Sequence, residues 1–132
     1  MGTALHLNEI GQIALTVSDL PASVEFYRDV LGMNFLFNSG TMAFLQCGSV
    51  RLLLGTAEKS VGDSATIVYF RVPDIQLAHE TLVGKGVPFT EPPHLVARMK
   101  SHDLWLAFLK DPAGNTLGLM SEIQRTPEKE MK

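Results

Sequence analysis

The stretch "IALTVSDLPASVEFYRDVLG" (13–32) decides the fold, because it joins a strand to a capped helix. Apolar residues alternate with small or polar ones from Ile13 to Val17, which predicts a strand with one face on a core. Asp19 stands where a helix N-cap belongs, and a proline suits the first turn that follows. Gly32 is a natural stop for that helix.

The same unit returns later in the chain. "IVYFRVPDI" (67–75) repeats the strand and its capping aspartate at an offset of 55 residues. "AFLQCG" (43–48) is echoed by "AFLKDP" (107–112), and the apolar strands 50–54 and 116–120 follow them. Each half therefore predicts a strand, a helix and three further strands. An internal repeat of this length favours two modules that share one core over two independent domains.

The predicted organisation is one domain, residues 1–132, with modules at about 8–58 and 64–123 and a charged tail at 124–132. The formal net charge is −3 and the basic residues form no run, which argues against binding to nucleic acid or to anionic membranes. No apolar stretch approaches the ~20 residues of a membrane span. The single cysteine excludes an intrachain disulfide, and no secretory signal layout begins the chain, so a cytoplasmic location is expected.

Two stretches, "IALTVSDLPASVEFYRDVLGMNF" (13–35) and "AFLKDPAGNTLGL" (107–119), resemble the vicinal oxygen chelate superfamily of glyoxalases, bleomycin-resistance proteins and extradiol dioxygenases. The resemblance extends from about residue 8 to residue 123. It implies an α+β fold in which two paired βαβββ modules form a cupped mixed sheet around a pocket, with the helices outside. It also implies a homodimer, which is common among single-domain members.

Side-chain alternation along the strands predicts which residues face this pocket. The helix side is assigned to Ile13, Leu15 and Val17, and pairing Lys110 with Thr116 orients the last two strands. The pocket is then expected to be lined by Gln12, Ala14, Thr16, Leu52, Leu54, Ile67, Tyr69, Arg71, Leu104, Leu106, Phe108, Gly118 and Met120.

Segment 91–105 is predicted to hang over the pocket mouth, where a Pro-Pro pair forces an extended chain. His94, Arg98 and His102 recur in it at spacings of four and are added to the pocket. A lid whose polar side chains simply meet water explains this pattern. Alternatively, the two histidines and Asp103 supply a relocated metal site, or His102 acts as an acid or base near neutral pH.

The resemblance implies four metal-ligand positions, on the first and last strands of each module. In this chain they are Gln12, Leu52, Ile67 and Gly118, and only the glutamine has a donor atom. No metal and no other cofactor is therefore expected. Gly118 is expected to widen the pocket floor.

The sequence thus predicts an apolar small-molecule pocket in a ligand-binding protein or a metal-independent enzyme, and leaves open whether it is an enzyme. Arg71 is a candidate clamp for a carboxylate or phosphate, and His102 is the candidate catalytic residue. The alternative is a glyoxalase-type lyase, isomerase or dioxygenase with a divalent metal held by Gln12, His94, His102 or Glu122. A third possibility is an interaction protein that uses the fold as a dimer scaffold.

Overall fold

The computed structural model describes residues 5–56 and 66–125. The chain divides into two compact units, residues 1–60 (unit 1) and 61–132 (unit 2). Within the two described ranges, no helix has the length and apolarity needed to cross a membrane. Residues 57–65, where the two predicted modules meet, lie outside these ranges, as does the tail beyond Arg125.

Unit 1 has the predicted strand, helix and three strands. Its segments are β1 (Gln12–Val17), α1 (Leu20–Glu25), a π-helical turn (Phe26–Val30), β2 (Asn34–Ser39), β3 (Met42–Cys47) and β4 (Val50–Thr56). The strand order is β1-β4-β3-β2, in which β1 and β4 are parallel and the other pairs are antiparallel. Asp19 caps α1 as predicted, because its carboxylate accepts the backbone N–H of Ala22 at 3.1 Å.

Unit 2 repeats this arrangement with the segments β5 (Val68–Arg71), α2 (Ile75–Gly84), β6 (Phe89–Arg98), β7 (His102–Lys110) and β8 (Thr116–Gln124). Its order is β5-β8-β7-β6, with β5 parallel to β8. Asp74 caps α2 by accepting the N–H of Leu77 at 3.1 Å. The α+β fold of two βαβββ modules is therefore confirmed.

The core of each unit lies between its helix and one face of its sheet. In unit 1, Leu45 and Leu54 are fully buried, and α1 packs against β3 and β4. In unit 2, Ala107 and Leu117 are fully buried, and α2 packs against β7 and β8. We call the other face of each sheet its open face, because the side chains that alternate with these core residues are largely half-buried or exposed.

A tight turn joins β7 to β8 and is organised by one buried carboxylate. Asp111 is 4% exposed, and its Oδ1 accepts the N–H groups of Ala113 at 2.9 Å and Asn115 at 2.8 Å. Its Oδ2 accepts the Asn115 side-chain amide at 3.0 Å. Gly114 supplies the positive φ of +91° that the turn requires.

The turn sets the register of the hairpin that sequence patterning predicted. Lys110 lies opposite Thr116, Phe108 lies opposite Gly118, and Leu106 lies opposite Met120. Because side chains alternate with a period of two, this register fixes which residues share a face. The predicted pairing is confirmed.

Two predicted loops are strands. Segment 91–105 is not a lid, because it forms most of a hairpin of β6 and β7. The Pro-Pro pair is accommodated because β6 is an edge strand with irregular pairing, where a missing N–H leaves no central ladder bond unmade. The tail prediction also begins too early. Gln124 ends β8, and Arg125 donates to the backbone carbonyls of Met99 at 2.6 Å and Lys100 at 3.0 Å.

Replacing Asp111 by alanine is expected to lower the free energy of unfolding by about 2–4 kcal/mol, because three donors lose a charged acceptor. Urea unfolding measures the loss. Asp29→Ala is the control, since Asp29 is exposed and pairs with Arg28 at the surface, where solvent screens the ion pair and little loss is expected. A loss below about 1 kcal/mol for Asp111→Ala would contradict this role of the carboxylate.

Candidate functional site

The open face of unit 2 carries most of the predicted pocket residues of the second module. The strand register brings together five apolar side chains on this face, which we call the apolar wall: Tyr69, Leu104, Leu106, Phe108 and Met120. Four of them are half-buried and Tyr69 is 42% exposed. Ile67 immediately precedes β5 and is half-buried.

Gly118 lies beneath an aromatic ring of the apolar wall. It is the partner of Tyr69 in the parallel pairing of β5 with β8. A Cβ built on Gly118 would come within 2.5 Å of Tyr69 Cδ2 and 2.8 Å of Cε2, closer than real side chains pack. The ring of Tyr69 also meets that of Phe108 edge-on, with centroids 5.8 Å apart. The glycine therefore makes room for a tyrosine ring, and the expectation that it widens the pocket floor is wrong.

The open face of unit 1 carries Gln12, which is exposed together with Ala14 and Thr16. Arg51 Nε donates to Gln12 Oε1 at 3.0 Å, and its guanidinium lies 5.8 Å from the ring centre of Phe44. The amide oxygen of Gln12 is thus already paired with a cation. A metal ion at that oxygen would have to displace this hydrogen bond and sit beside a positive charge.

Leu52 and Leu54 were predicted to face the pocket, and this prediction is wrong. Leu52 pairs with Ile13 in the parallel β1–β4 ladder, so it shares the helix-side face. The two leucines are 3% and 0% exposed. The β4 residue that pairs as Gly118 does in unit 2 is Leu53, which lies beside Ala14 and likewise offers no donor atom.

The family's metal positions therefore do not form a fitting donor set in this chain. Leu52 or Leu53, Ile67 and Gly118 have no donor atom, and the amide oxygen of Gln12 is engaged by arginine. Across residues 5–56 and 66–125, no group of three or more His, Cys, Asp or Glu side chains is placed to hold a metal ion.

The relocated site suggested for segment 91–105 is not assembled. His94 on β6 lies opposite Leu106 on β7. Leu106 is four residues beyond His102 on the same strand, so the two histidines are separated by ~13 Å along the strand direction. The imidazole of His94 is engaged by the carbonyl of Pro92 at 2.8 Å, and Asp103 forms an ion pair with Arg125.

Arg98 also departs from its predicted place. It lies opposite Asp103, one residue out of phase with Leu104, so it points to the face away from the apolar wall. The half-buried His94 shares the face of Leu106, with its ring centre 6.5 Å from that of Phe108.

A cluster of three polar side chains stands at the end of the apolar wall. Glu122 Oε1 pairs with Arg71 Nη1, and Glu122 Oε2 lies 3.6 Å from His102 Nε2. We call this the Arg71–Glu122–His102 cluster. It borders a cleft of about 310 Å³ that is also lined by Val72, Pro73 and Gln124.

The electrostatics of the cluster are dominated by its ion pair. The hydrogen bond from Arg71 holds the pKa of Glu122 below its ordinary value, with a smaller contribution from His102. His102 Nε2 is closed off from solvent and has no hydrogen-bond partner within the described residues. Sequence reasoning named His102 and Glu122 as candidate metal ligands and Arg71 as a candidate anion clamp, but it did not predict the ion pair of Arg71 with Glu122.

Gly118→Ala is expected to cost about 1–2 kcal/mol of unfolding free energy, because the new methyl group meets the Tyr69 ring. The cost should disappear in a Tyr69→Ala background, giving a coupling energy of about 1–2 kcal/mol in urea unfolding. Gly55→Ala is the control, because its Cβ would meet only Met42 Cγ, at an ordinary 3.8 Å. Equal costs of Gly118→Ala in both backgrounds would contradict the packing role.

The Arg71–Glu122 pair also predicts a pH dependence of stability. A carboxylate whose folded pKa is lowered contributes stability above its unfolded pKa of about 4.3, and this contribution is lost as the pH falls through the folded pKa. Below about pH 4.3, the melting temperature of the wild type should therefore fall more steeply than that of Glu122→Gln. Glu80→Gln, on the exposed surface of α2, controls for removal of a carboxylate. Parallel curves for wild type and Glu122→Gln would count against the pair.

Two known proteins are similar to this chain in sequence. A protein of Vibrio cholerae described as a probable lactoylglutathione lyase is 31% identical over 124 residues, which cover 83% of this chain and 88% of that protein. The metallothiol transferase FosB of Staphylococcus haemolyticus is 40% identical over 52 residues, 39% of this chain and 37% of FosB. The Vibrio cholerae match thus spans both modules, whereas the FosB match is local.

Solved structures share the fold. The crystal structure of lactoylglutathione lyase from Agrobacterium tumefaciens has a TM-score of 0.71 at 24% identity, covering 86% of this chain and 93% of that one. A glyoxalase/bleomycin resistance protein/dioxygenase from Nocardioides has a TM-score of 0.76 at 20% identity, covering 93% and 89%. The family model of this superfamily matches residues 9–119. The chain belongs to the Glyoxalase/Bleomycin resistance protein/Dioxygenase superfamily.

Proposed function

We propose that the protein binds a small molecule against the apolar wall without a metal ion, as a ligand-binding protein or a metal-independent enzyme. The observation that carries the proposal is the ring of Tyr69 over Gly118, a position where the family resemblance implies a metal-binding carboxylate in metalloenzymes. An aromatic ring in this position cannot supply an oxygen ligand to a metal ion, but it can pack against an apolar group of a bound molecule.

The composition of the open face of unit 2 supports a ligand site. Small-molecule sites are mostly apolar and have a few polar groups that orient the ligand. The apolar wall has this character, and the Arg71–Glu122–His102 cluster supplies polar groups at its end. His102 remains the candidate catalytic residue, held beside Glu122, if the protein is an enzyme.

The alternative is a metal-dependent lyase, isomerase or dioxygenase of glyoxalase type with an altered coordination sphere. The likeness to the probable lactoylglutathione lyase of Vibrio cholerae favours it. The engaged amide of Gln12 and the absence of donor atoms at the other family positions oppose it. A homodimer, a cytoplasmic location and a role as an interaction protein remain proposals that rest on the family resemblance and the single cysteine.

Metal content tests the choice between these functions. Protein purified without an affinity tag is incubated with zinc, nickel, iron(II) or manganese, desalted and measured by elemental mass spectrometry. No stoichiometric metal is expected. One metal ion per chain that is lost in Gln12→Ala or in a His94→Ala/His102→Ala variant would overturn the proposal and favour the alternative.

The apolar wall is tested with a neutral probe, 4-phenylbutanamide, by NMR titration of isotope-labelled protein. Shift changes are expected to centre on Phe108 and Met120. Leu106→Asp should weaken binding by about tenfold or more, because a charged group then lies in the apolar contact. Leu77→Asp is the control, since Leu77 is 59% exposed on α2. Unchanged affinity in a folded Leu106→Asp variant would refute the assignment of the wall.

A further inference from the structure

We infer that Arg71 forms an anion-binding end of this site, so that its ligand is a carboxylic acid with an apolar body. The inference rests on the proposed function and adds the chemical class of the ligand. The observation behind it is that the Nε and Nη2 groups of Arg71 donate to no other described residue.

Arg71 is 63% exposed, and its side chain meets Glu122 through Nη1 alone. Within the described residues, no hydrogen bond is made by its Nε or Nη2. These two atoms form the edge of a guanidinium that can donate hydrogen bonds to both oxygens of a carboxylate. Arg71 therefore presents a solvent-accessible, bidentate anion-binding group beside the apolar wall.

In other arginines of the chain, the guanidinium N–H groups already donate to protein oxygens. In Arg28 the same edge is occupied, because Nε and Nη2 donate to the two oxygens of Asp29 at 2.8 and 2.9 Å. In Arg51 the Nε donates to Gln12, and in Arg125 both Nη atoms donate to protein oxygens. Arg28 is consequently a matched control for Arg71.

The neighbours of Arg71 leave this edge available. Glu122 is held at the Nη1 side, since its other oxygen faces His102 Nε2 at 3.6 Å. Its charge is compensated by the arginine, but it still disfavours an approaching anion. A monoanionic carboxylate is therefore favoured over a phosphate dianion, because no second lysine or arginine lines the described cleft.

The position of Arg71 connects the anion site to the apolar wall. Arg71 pairs with Met120 across the β5–β8 ladder, and Met120 pairs with Leu106 across β8–β7. Tyr69 lies on the same face of β5, two residues or ~6.6 Å from Arg71. The cleft of about 310 Å³ borders Arg71 at the end away from the apolar wall, so the link between Arg71 and the wall rests on the strand pairing alone. An acid with a body of several carbon atoms can thus contact both features.

The test compares 4-phenylbutanoate with its neutral analogue 4-phenylbutanamide by NMR titration and calorimetry. The acid should bind at least about fivefold more tightly. Arg71→Lys keeps the charge and the pairing with Glu122 but loses the two parallel N–H donors of the guanidinium, so it should weaken binding of the acid by about threefold. Arg71→Gln should weaken binding of the acid by about tenfold. In both variants, the affinity for the uncharged amide should fall by less than the affinity for the acid. Arg28→Lys should leave both affinities unchanged.

Glu122→Gln supplies a signature that a merely structural role would not produce. Removing this carboxylate removes repulsion and frees Arg71 Nη1, so the acid should bind about threefold more tightly while the amide is unaffected. Weaker binding of the acid in Glu122→Gln would contradict the inference.

The outcomes separate this inference from the proposed function. Equal affinities for acid and amide, or no effect of Arg71→Gln on the affinity for the acid, would overturn the anion site. In that case, loss of amide binding in Leu106→Asp would still support the apolar wall. Binding of the acid that depends on Arg71 but not on Leu106 upholds the anion site and refutes the wall. Inorganic phosphate that competes with the acid more strongly than acetate does would overturn the assignment to carboxylates.

Discussion

The register of the β7–β8 hairpin is the constraint on which the candidate site depends. The carboxylate of Asp111 closes the turn, and from there every pair down to His102 opposite Gln124 is determined. A slip of one residue would move Phe108 and Met120 to the helix side and bring Ala107 and Leu119 to the open face. The buried carboxylate thus acts on the site from a distance, by deciding which side chains the open face presents.

The hairpin register in turn positions the aromatic contact and the ion pair of the open face of unit 2. With Gly118 opposite Phe108, the parallel partner Tyr69 can lay its ring over bare backbone and touch the phenylalanine edge-on. The same phase puts Glu122 two residues beyond Met120, where it meets Arg71. Position 118, one of the four that the family resemblance assigns to metal ligands, is covered by the ring of Tyr69 here, and Glu122 stands four residues further on, paired with Arg71.

Much of this could be predicted from the sequence, because local patterns carried it. The capped helices, the face of β1 and the β7–β8 pairing all follow from alternation, an N-cap aspartate and the turn "DPAGN" (111–115). The face of β4 could not be predicted in this way, since "VRLLL" (50–54) has three leucines in succession and no alternation to read. Its face is decided by the parallel pairing with β1, which brings together residues 39 positions apart.

The site itself was less predictable because its contacts are non-local. Arg71 and Glu122 are 51 residues apart and meet only because β5 pairs with β8 in one particular phase. The segment containing His94 was misread because prolines and histidines suggest a loop, whereas an edge strand tolerates both. Residue types indicated the polar groups correctly, and long-range register decided which of them met.

Comparison of the two units shows how the positions that the family resemblance assigns to metal ligands are packed in this chain. At equivalent points of the parallel ladders, unit 1 pairs Ala14 with Leu53, and unit 2 pairs Tyr69 with Gly118. Each pair combines a small residue with a large one, but the large residue is on the last strand in unit 1 and on the first in unit 2. A glutamate at position 118 would collide with the ring of Tyr69 and would find no donor at Leu53 or Ile67. The aromatic ring and the glycine form one packing unit, so a change toward a metal site has to alter both strands together.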